Sequence, residues 1–202
     1  MSLKTFVKVS KVSSLSDARY CSGMMVDMLG FHLEDNMPDY ISPEEFNEIT
    51  EWVAGVMFVG EFETDDVATI KLKTQQYHIQ FVETTQFDQL EPLLELDKQL
   101  IYKHRITNSG MLDNMTNVLS AASDLVDFSI IEVTDPSLYK DVDEILSTVE
   151  GALVKGYNVT EDTVGSLPSF WKGIQLVGTP EEQPGFKDYG DVMDILEHLE
   201  ED

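Results

Sequence analysis

The chain has 202 residues, of which 13 are lysine or arginine and 38 are aspartate or glutamate, giving a formal net charge of −25. Such a surface repels nucleic acids and anionic membranes, because both are bound mainly through cationic side chains. The hydrophobic fraction of 42% is that of a globular protein. We expect a soluble chain that binds no nucleic acid and no membrane.

Cysteine content and hydropathy further restrict the class of protein to which the chain can belong. Cys21 is the only cysteine, which excludes a disulfide scaffold and a cysteine-rich zinc site. No apolar run reaches the roughly 18 residues of a membrane span, and the N-terminus lacks an apolar signal core. These features predict a cytoplasmic protein that forms one domain over residues 1–202.

Short apolar segments recur along the whole chain and are the candidate strands. They are residues 5–9, 26–33, 53–62, 77–82, 99–104, 128–133, 152–155 and 173–177. Their spacing is about that of one βα unit. Several are apolar on both faces, which is typical of parallel strands covered by helices.

Helix-start signals lie between these segments. Capping residues and acidic first turns predict helix starts at Ser14, Ser42, 64–66 and Thr160, and helical spacing predicts helices over 109–122 and 189–199. Pro92 leaves the fourth helix to begin near either Gln86 or Glu91.

Alternating strands and helices predict an α/β fold with a parallel sheet. Eight units close naturally into a single (β/α)8 TIM barrel, although 202 residues is near the lower size limit. An open doubly wound sheet is the alternative. The chain lacks Gly-x-Gly-x-x-Gly after the first strand, which argues against a dinucleotide-binding version.

Six segments, in order and at compatible spacing, resemble phosphoribosylanthranilate isomerase, a barrel enzyme of tryptophan biosynthesis. They are residues 7–18, 27–31, 40–44, 59–62, 79–81 and 184–188, with sequences such as Tyr40-Ile41-Ser42-Pro43-Glu44 and Pro184-Gly185-Phe186-Lys187-Asp188. Over residues 86–157 the similarity is limited to the spacing of the candidate strands. The resemblance implies a divergent member of that family.

The resemblance also implies two catalytic positions for the Amadori isomerisation of N-(5-phosphoribosyl)anthranilate. The family's strand-one cysteine base corresponds to Ser10, and its strand-six aspartate acid corresponds to Glu132. A serine hydroxyl does not ionise near neutral pH unless a base activates it, and His32 or His104 is a candidate for that role. Apolar neighbours would raise the pKa of Glu132, as a general acid requires, unless its side chain points outward.

The positions implied for substrate binding are altered as well. Lys8 matches the strand-one lysine, but Asp39 replaces the arginine that would meet the anthranilate carboxylate. Tyr157 and Asn158 replace the Gly-Gly turn that grips the phosphate, and Gly178 and Thr179 stand in the second phosphate turn. The resemblance implies no cofactor and no metal, and it is compatible with a monomer or homodimer and a sugar-phosphate-like ligand.

Three functions remain open at this point. The chain could be a divergent but working isomerase, or a relative with reduced or lost activity that binds a small ligand or a protein. It could also be a different enzyme in which Glu83 and Glu132 hold a divalent cation. The cysteine base, the arginine that meets the carboxylate and the Gly-Gly phosphate turn are all replaced. Reduced or lost isomerase activity is therefore favoured.

Overall fold

A computed structural model of the chain describes residues 2–177 and 190–200. Eight parallel strands close into a barrel in sequential order, so the predicted (β/α)8 fold is confirmed and an open sheet is wrong. The strands are β1 (Phe6–Ser10), β2 (Met28–His32), β3 (Met57–Phe62), β4 (Phe81–Thr84), β5 (Gln99–Ile106), β6 (Phe128–Val133), β7 (Leu153–Lys155) and β8 (Trp171–Val177).

Helices alternate with the strands on the outside of the barrel. They are α1 (Leu15–Gly23), α2 (Pro43–Thr50), α3 (Val67–Lys73), α4 (Leu90–Leu93), α5 (Met115–Ser123), α6 (Tyr139–Leu146), α7 (Glu161–Val164) and α8 (Gly190–Leu199). None of the helices in the described ranges is long and apolar enough to cross a membrane.

Local capping chemistry explains where several helices begin. Ser42 and Glu45 form a reciprocal capping box at α2, whose first position is proline. The Ser14 hydroxyl caps α1 by accepting from the backbone N–H of Asp17. At α3 the cap is Asp66, which accepts from the N–H of Thr69. The predicted starts at these helices therefore follow from short-range hydrogen bonds.

Several predicted elements differ from the structure; the third strand, for example, begins at Met57 rather than residue 53. The fourth strand begins at Phe81 rather than residue 77, because Tyr77 and Ile79 are buried in the main apolar cluster ahead of the strand. Of the two starts predicted for the fourth helix, Glu91 agrees within one residue with the start of α4 at Leu90, and a 3₁₀ turn over Phe87–Gln89 precedes it. A second 3₁₀ turn, Ser109–Asn114, replaces the first part of the helix predicted over 109–122.

The interior of the barrel is divided into an apolar and a polar layer. The apolar layer packs Met28, Val59, Phe81, Ile101, Ile130 and Val154 against one another. Phe6 and Phe128 stack with ring centroids 4.8 Å apart next to this layer. Side chains point inward at every second strand position, so the inward residues one step further along the strands form the next layer, which is polar.

Candidate functional site

Charged and polar side chains fill the barrel beyond its apolar layer, towards the carboxyl ends of the strands. We call the set the mouth network; its members are Lys8, Ser10, Glu61, Glu63, Glu83, Lys103, Arg105, Glu132 and Gln175. The carboxyl end is the face at which (β/α)8 enzymes place their active sites. The mouth network is therefore the candidate functional site.

Lys8 lies at the centre of the mouth network and is 1% exposed. Its Nζ atom is 2.6 Å from Ser10 Oγ and 3.1 Å from Gln175 Oε1. It also lies 2.5 Å from Glu61 Oε1 and 2.7 Å from Glu83 Oε2. These contacts exceed the three protons that an ammonium group donates, so Lys8 has no donor left for a ligand in this arrangement.

The two predicted catalytic residues lie at the same end of the barrel, and one amide joins them. Gln175 accepts a hydrogen bond at Oε1, which is 2.9 Å from Ser10 Oγ. It donates from Nε2 to Glu132 Oε1 over 3.1 Å. Glu132 therefore points inward, and the alternative of an outward side chain is wrong.

The described residues around Ser10 do not supply a base. Its hydroxyl is 2.6 Å from Glu61 Oε1, but that carboxylate is a poor proton acceptor. Burial disfavours the charged form of Glu61, yet the fields of Lys8 and Lys103 outweigh burial and lower its pKa to about 2. Ser10 is thus a buried hydrogen-bonding group without an activating partner in this arrangement.

The acid predicted at Glu132 is also held in its ionised form. Burial opposes ionisation, but Lys103 and the hydrogen bonds from Arg105 and Gln175 hold the pKa of Glu132 below its usual value. The prediction of a raised pKa is therefore wrong. A carboxyl group that stays ionised has no proton to donate, so Glu132 is badly suited to general-acid catalysis as it stands.

Arg105 covers the mouth network and is its most exposed cation. Its guanidinium donates to both carboxylate oxygens of Glu63, over 3.1 and 2.9 Å, and to Glu132 over 3.0 Å. These bonds are the main reason that the pKa of Arg105 is raised and the pKa of Glu63 is lowered. Arg105 therefore joins the end of β5 to Glu132 of β6 and to Glu63, the residue that follows β3.

The two histidines considered as bases for Ser10 lie in different surroundings. His32 is buried, and its Nε2 atom is 3.8 Å from Glu63 Oε1, beside the mouth network. His104 Nδ1 instead pairs with the hydroxyl of Tyr102 over 3.0 Å, and burial lowers the pKa of His104. His104 makes no contact with Ser10, whereas His32 stays near the site.

The altered binding positions are only partly at the mouth. Asp39 Oδ2 lies 3.7 Å from Lys11 Nζ, in the loop after β2. Tyr157 is 4% exposed and its hydroxyl donates to Asp143 of α6, so its side chain packs on α6 and is not free for a ligand. Asn158 has a φ of +47° in the left-handed region. Gly178, Thr179 and the segment 184–188 lie outside the described residues.

The carboxylates proposed to hold a divalent cation are already engaged. Glu83 forms ion pairs with both Lys8 and Lys103, and Glu132 pairs with Arg105. Within residues 2–177 and 190–200, no group of three His, Cys, Asp or Glu side chains is arranged to hold a metal ion. The lysines would repel a cation at the same place.

Sequence reasoning missed five members of the site, which are Glu61, Glu63, Lys103, Arg105 and Gln175. A usable signal was present, because Glu61 is the only charged residue in β3, and Lys103 and Arg105 lie at alternate positions of β5. Buried charges of this kind are rare unless they are paired. Charges at inward positions of more than one strand pointed to a shared polar interior.

Gly30 leaves room for the mouth network, and its substitution gives a direct test. A Cβ atom at Gly30 would overlap the Glu61 carboxylate and lie 3.0 Å from Lys8 Nζ. We expect Gly30→Ala to lower the free energy of unfolding by about 1–3 kcal/mol, measured by urea denaturation. Gly23→Ala is the control, since no atom lies within 4 Å of its Cβ. Equal stability of both variants would contradict this packing.

The fold and the site define a (β/α)8 barrel whose carboxyl-end opening is occupied by paired charges. The fold is that of phosphoribosylanthranilate isomerases. The enzymes from Thermotoga maritima and Thermus thermophilus each superpose with a TM-score of 0.76, at 18% and 15% identity, over 96% of this chain and 98% of theirs. The enzyme from Pyrococcus furiosus gives 0.74 at 15% identity, with the same coverage.

The remaining comparisons show similarity in fold without similarity in sequence. A variant of the citrate synthase SbnG matches with a TM-score of 0.61 at 8% identity, over 86% of each chain. No family model matches the sequence, and no curated protein matches it. The resemblance suggested by the sequence segments is thus confirmed at the level of the fold.

Proposed function

We propose that this chain is a divergent phosphoribosylanthranilate isomerase-like barrel in which the Amadori isomerisation is reduced or lost. The observation that carries the proposal is the state of the two catalytic positions. Ser10 has no activating base among the described residues, and Glu132 is ionised and bound by Arg105 and Gln175. The family's reaction needs a proton acceptor at the first position and a proton donor at the second.

The charges at the mouth support the same proposal. The substrate named for the family is anionic at its phosphate and its carboxylate. In this chain the described mouth holds the carboxylates of Glu61, Glu63, Glu83 and Glu132, and Asp39 stands where a cationic clamp is implied. Lys8 and Lys103 are neutralised by these acids, so little positive potential is left to attract the substrate.

The test is turnover of N-(5-phosphoribosyl)anthranilate, followed by the loss of its fluorescence. We expect no rate above the rate without protein, and no complementation of a tryptophan auxotroph. The double variant Ser10→Cys and Asp39→Arg is compared with the native protein, because it restores the implied cysteine base and the implied arginine that meets the carboxylate. Clear turnover or complementation by the native protein would show that the activity is retained.

The second candidate function is a non-catalytic barrel that binds a small ligand or a protein. It is favoured by Arg105, which is about one-third exposed and joins two carboxylates by bonds that an incoming anion could exchange. Binding of a sugar phosphate, measured by calorimetry and weakened by Arg105→Gln, would support this candidate. A cation-dependent enzyme is disfavoured because Glu83 lies between two lysines.

We further propose that residues 1–202 act as one domain, as a monomer or homodimer in the cytoplasm. The closed barrel uses strands from both ends of the described chain, since β1 pairs with β8. Sedimentation velocity distinguishes the monomer from the dimer. The single cysteine suits a reducing compartment.

A further inference from the structure

A second concave region lies at the opposite end of the barrel from the mouth network. Two adjoining cavities of about 850 and 350 Å³ share Lys4, Thr5, Ser169 and Trp171 in their walls. Phe6 and Trp171 are the first residues of β1 and β8, so the cavities open at the amino ends of the strands. The larger one has the volume of a small-molecule site. We call the pair the amino-end cavity.

A β-bulge places a lysine in this cavity. Leu153 pairs with Trp171 and Val154 pairs with Gly173, so Lys172 is an extra residue in β8 with no partner in β7. A bulge of this kind redirects a side chain away from the regular alternation of a strand. Lys172 lines the larger cavity, and its backbone carbonyl accepts from the hydroxyl of Thr5 over 3.3 Å.

The charge of the cavity is opposite to that of the chain. Lys4 and Lys172 line it, and neither ammonium group pairs with a carboxylate of the described residues. Asp27 is the only acid among the described residues that line the cavity. One of its oxygens already accepts the backbone N–H of Val7 over 2.8 Å. In a chain of net charge −25, two unpaired lysines create a local preference for an anion.

Aromatic side chains form part of the wall. Phe170 and Trp171 pack with ring centroids 5.2 Å apart, and Phe6 lines the same cavity. Trp171 is 6% exposed, and its ring also packs against Tyr157 with centroids 5.9 Å apart, so Phe6 and Phe170 are the more accessible rings. Aromatic walls favour a flat apolar body, and the two ammonium groups favour a group with acceptor oxygens.

We propose that the amino-end cavity binds a small anion that carries an aromatic ring, with its acidic group between Lys4 and Lys172. This site is separate from the mouth network and does not depend on the function proposed for it. Active sites of such barrels lie at the other face, so the amino-end cavity is a binding site rather than a catalytic one.

The test follows the two indole N–H resonances in ¹H–¹⁵N spectra while phenyl phosphate is added to the full chain. We expect the Trp171 signal to shift saturably, and the signal of Trp52, which lies outside the cavity, to stay in place. Lys4→Gln and Lys172→Gln should each raise the dissociation constant at least about fivefold. Lys140→Gln, an exposed lysine on α6, is the matched control and should leave it unchanged.

Inorganic phosphate and benzyl alcohol test the two halves of the ligand separately. Weaker binding of both than of phenyl phosphate supports the proposal. Equal binding of either one overturns it, because one half alone would then account for the affinity. An unmoved Trp171 signal at millimolar phenyl phosphate also overturns it, as does equal affinity in the Lys4→Gln and Lys172→Gln variants.

Discussion

Replacing Lys8 with methionine will lower the free energy of unfolding by about 3–5 kcal/mol, the usual cost of removing one partner from a buried ion pair. Lys8 is 1% exposed and neutralises the buried carboxylates of Glu61 and Glu83. Methionine has a similar volume, so the loss reports the unpaired charges and not a cavity. Urea denaturation followed by circular dichroism measures it.

Two further variants separate this effect from general damage. Lys71→Met removes an ion pair with Glu95 whose partners are 30% and 78% exposed, and it should cost less than about 1 kcal/mol. Lys8→Met combined with Glu61→Gln removes both charges of one pair. The double variant should be more stable than Lys8→Met alone, because fewer buried charges are left unpaired. A loss below about 1 kcal/mol in Lys8→Met would contradict the mouth network.

The elements that the sequence predicted well are those determined by neighbouring residues. The capping box of Ser42 and Glu45 is a bond between residues three positions apart, so its pattern is visible in the chain. The strands β5 and β6 begin at the residues predicted, Gln99 and Phe128. The fourth strand was misplaced because Tyr77 and Ile79 are as apolar as strand residues, although they pack ahead of β4.

The candidate site was less predictable because its contacts join distant parts of the chain. Lys8 and Gln175 are 167 residues apart in sequence and are brought together by the pairing of β1 with β8. The family resemblance identified Ser10 and Glu132 as positions, but not what surrounds them. The pKa of Glu132 was predicted with the wrong sign because its neighbours in sequence are apolar, whereas Lys103 and Arg105 approach from β5.

A common physical reason connects the stability of the barrel with its chemistry. The groups that would bind and activate a substrate are the same groups that neutralise one another inside the barrel. Freeing Lys8 for a ligand would leave the buried carboxylates of Glu61 and Glu83 unpaired, which is costly. The interior of the mouth therefore favours a fixed, paired arrangement over one poised for proton transfer.

The same pairing predicts a loss of stability in acid that depends on Glu61. Its pKa is lowered to about 2 in the folded protein, from 4.5 for an unperturbed glutamate. The ionised form therefore stabilises the fold; its contribution is complete above about pH 5 and disappears as the pH falls towards 2. We expect this residue to account for about 3 kcal/mol of the stability lost over that range.

The measurement is the free energy of unfolding at intervals between pH 6 and about pH 2 in the native protein and in Glu61→Gln. The variant should start less stable, because Lys8 loses a partner, but its stability should fall less steeply with acid. Glu95→Gln is the control, since Glu95 pairs with Lys71 at the surface and should leave the slope nearly unchanged. Parallel curves for the native protein and Glu61→Gln would show that this carboxylate is not held ionised by Lys8 and Lys103.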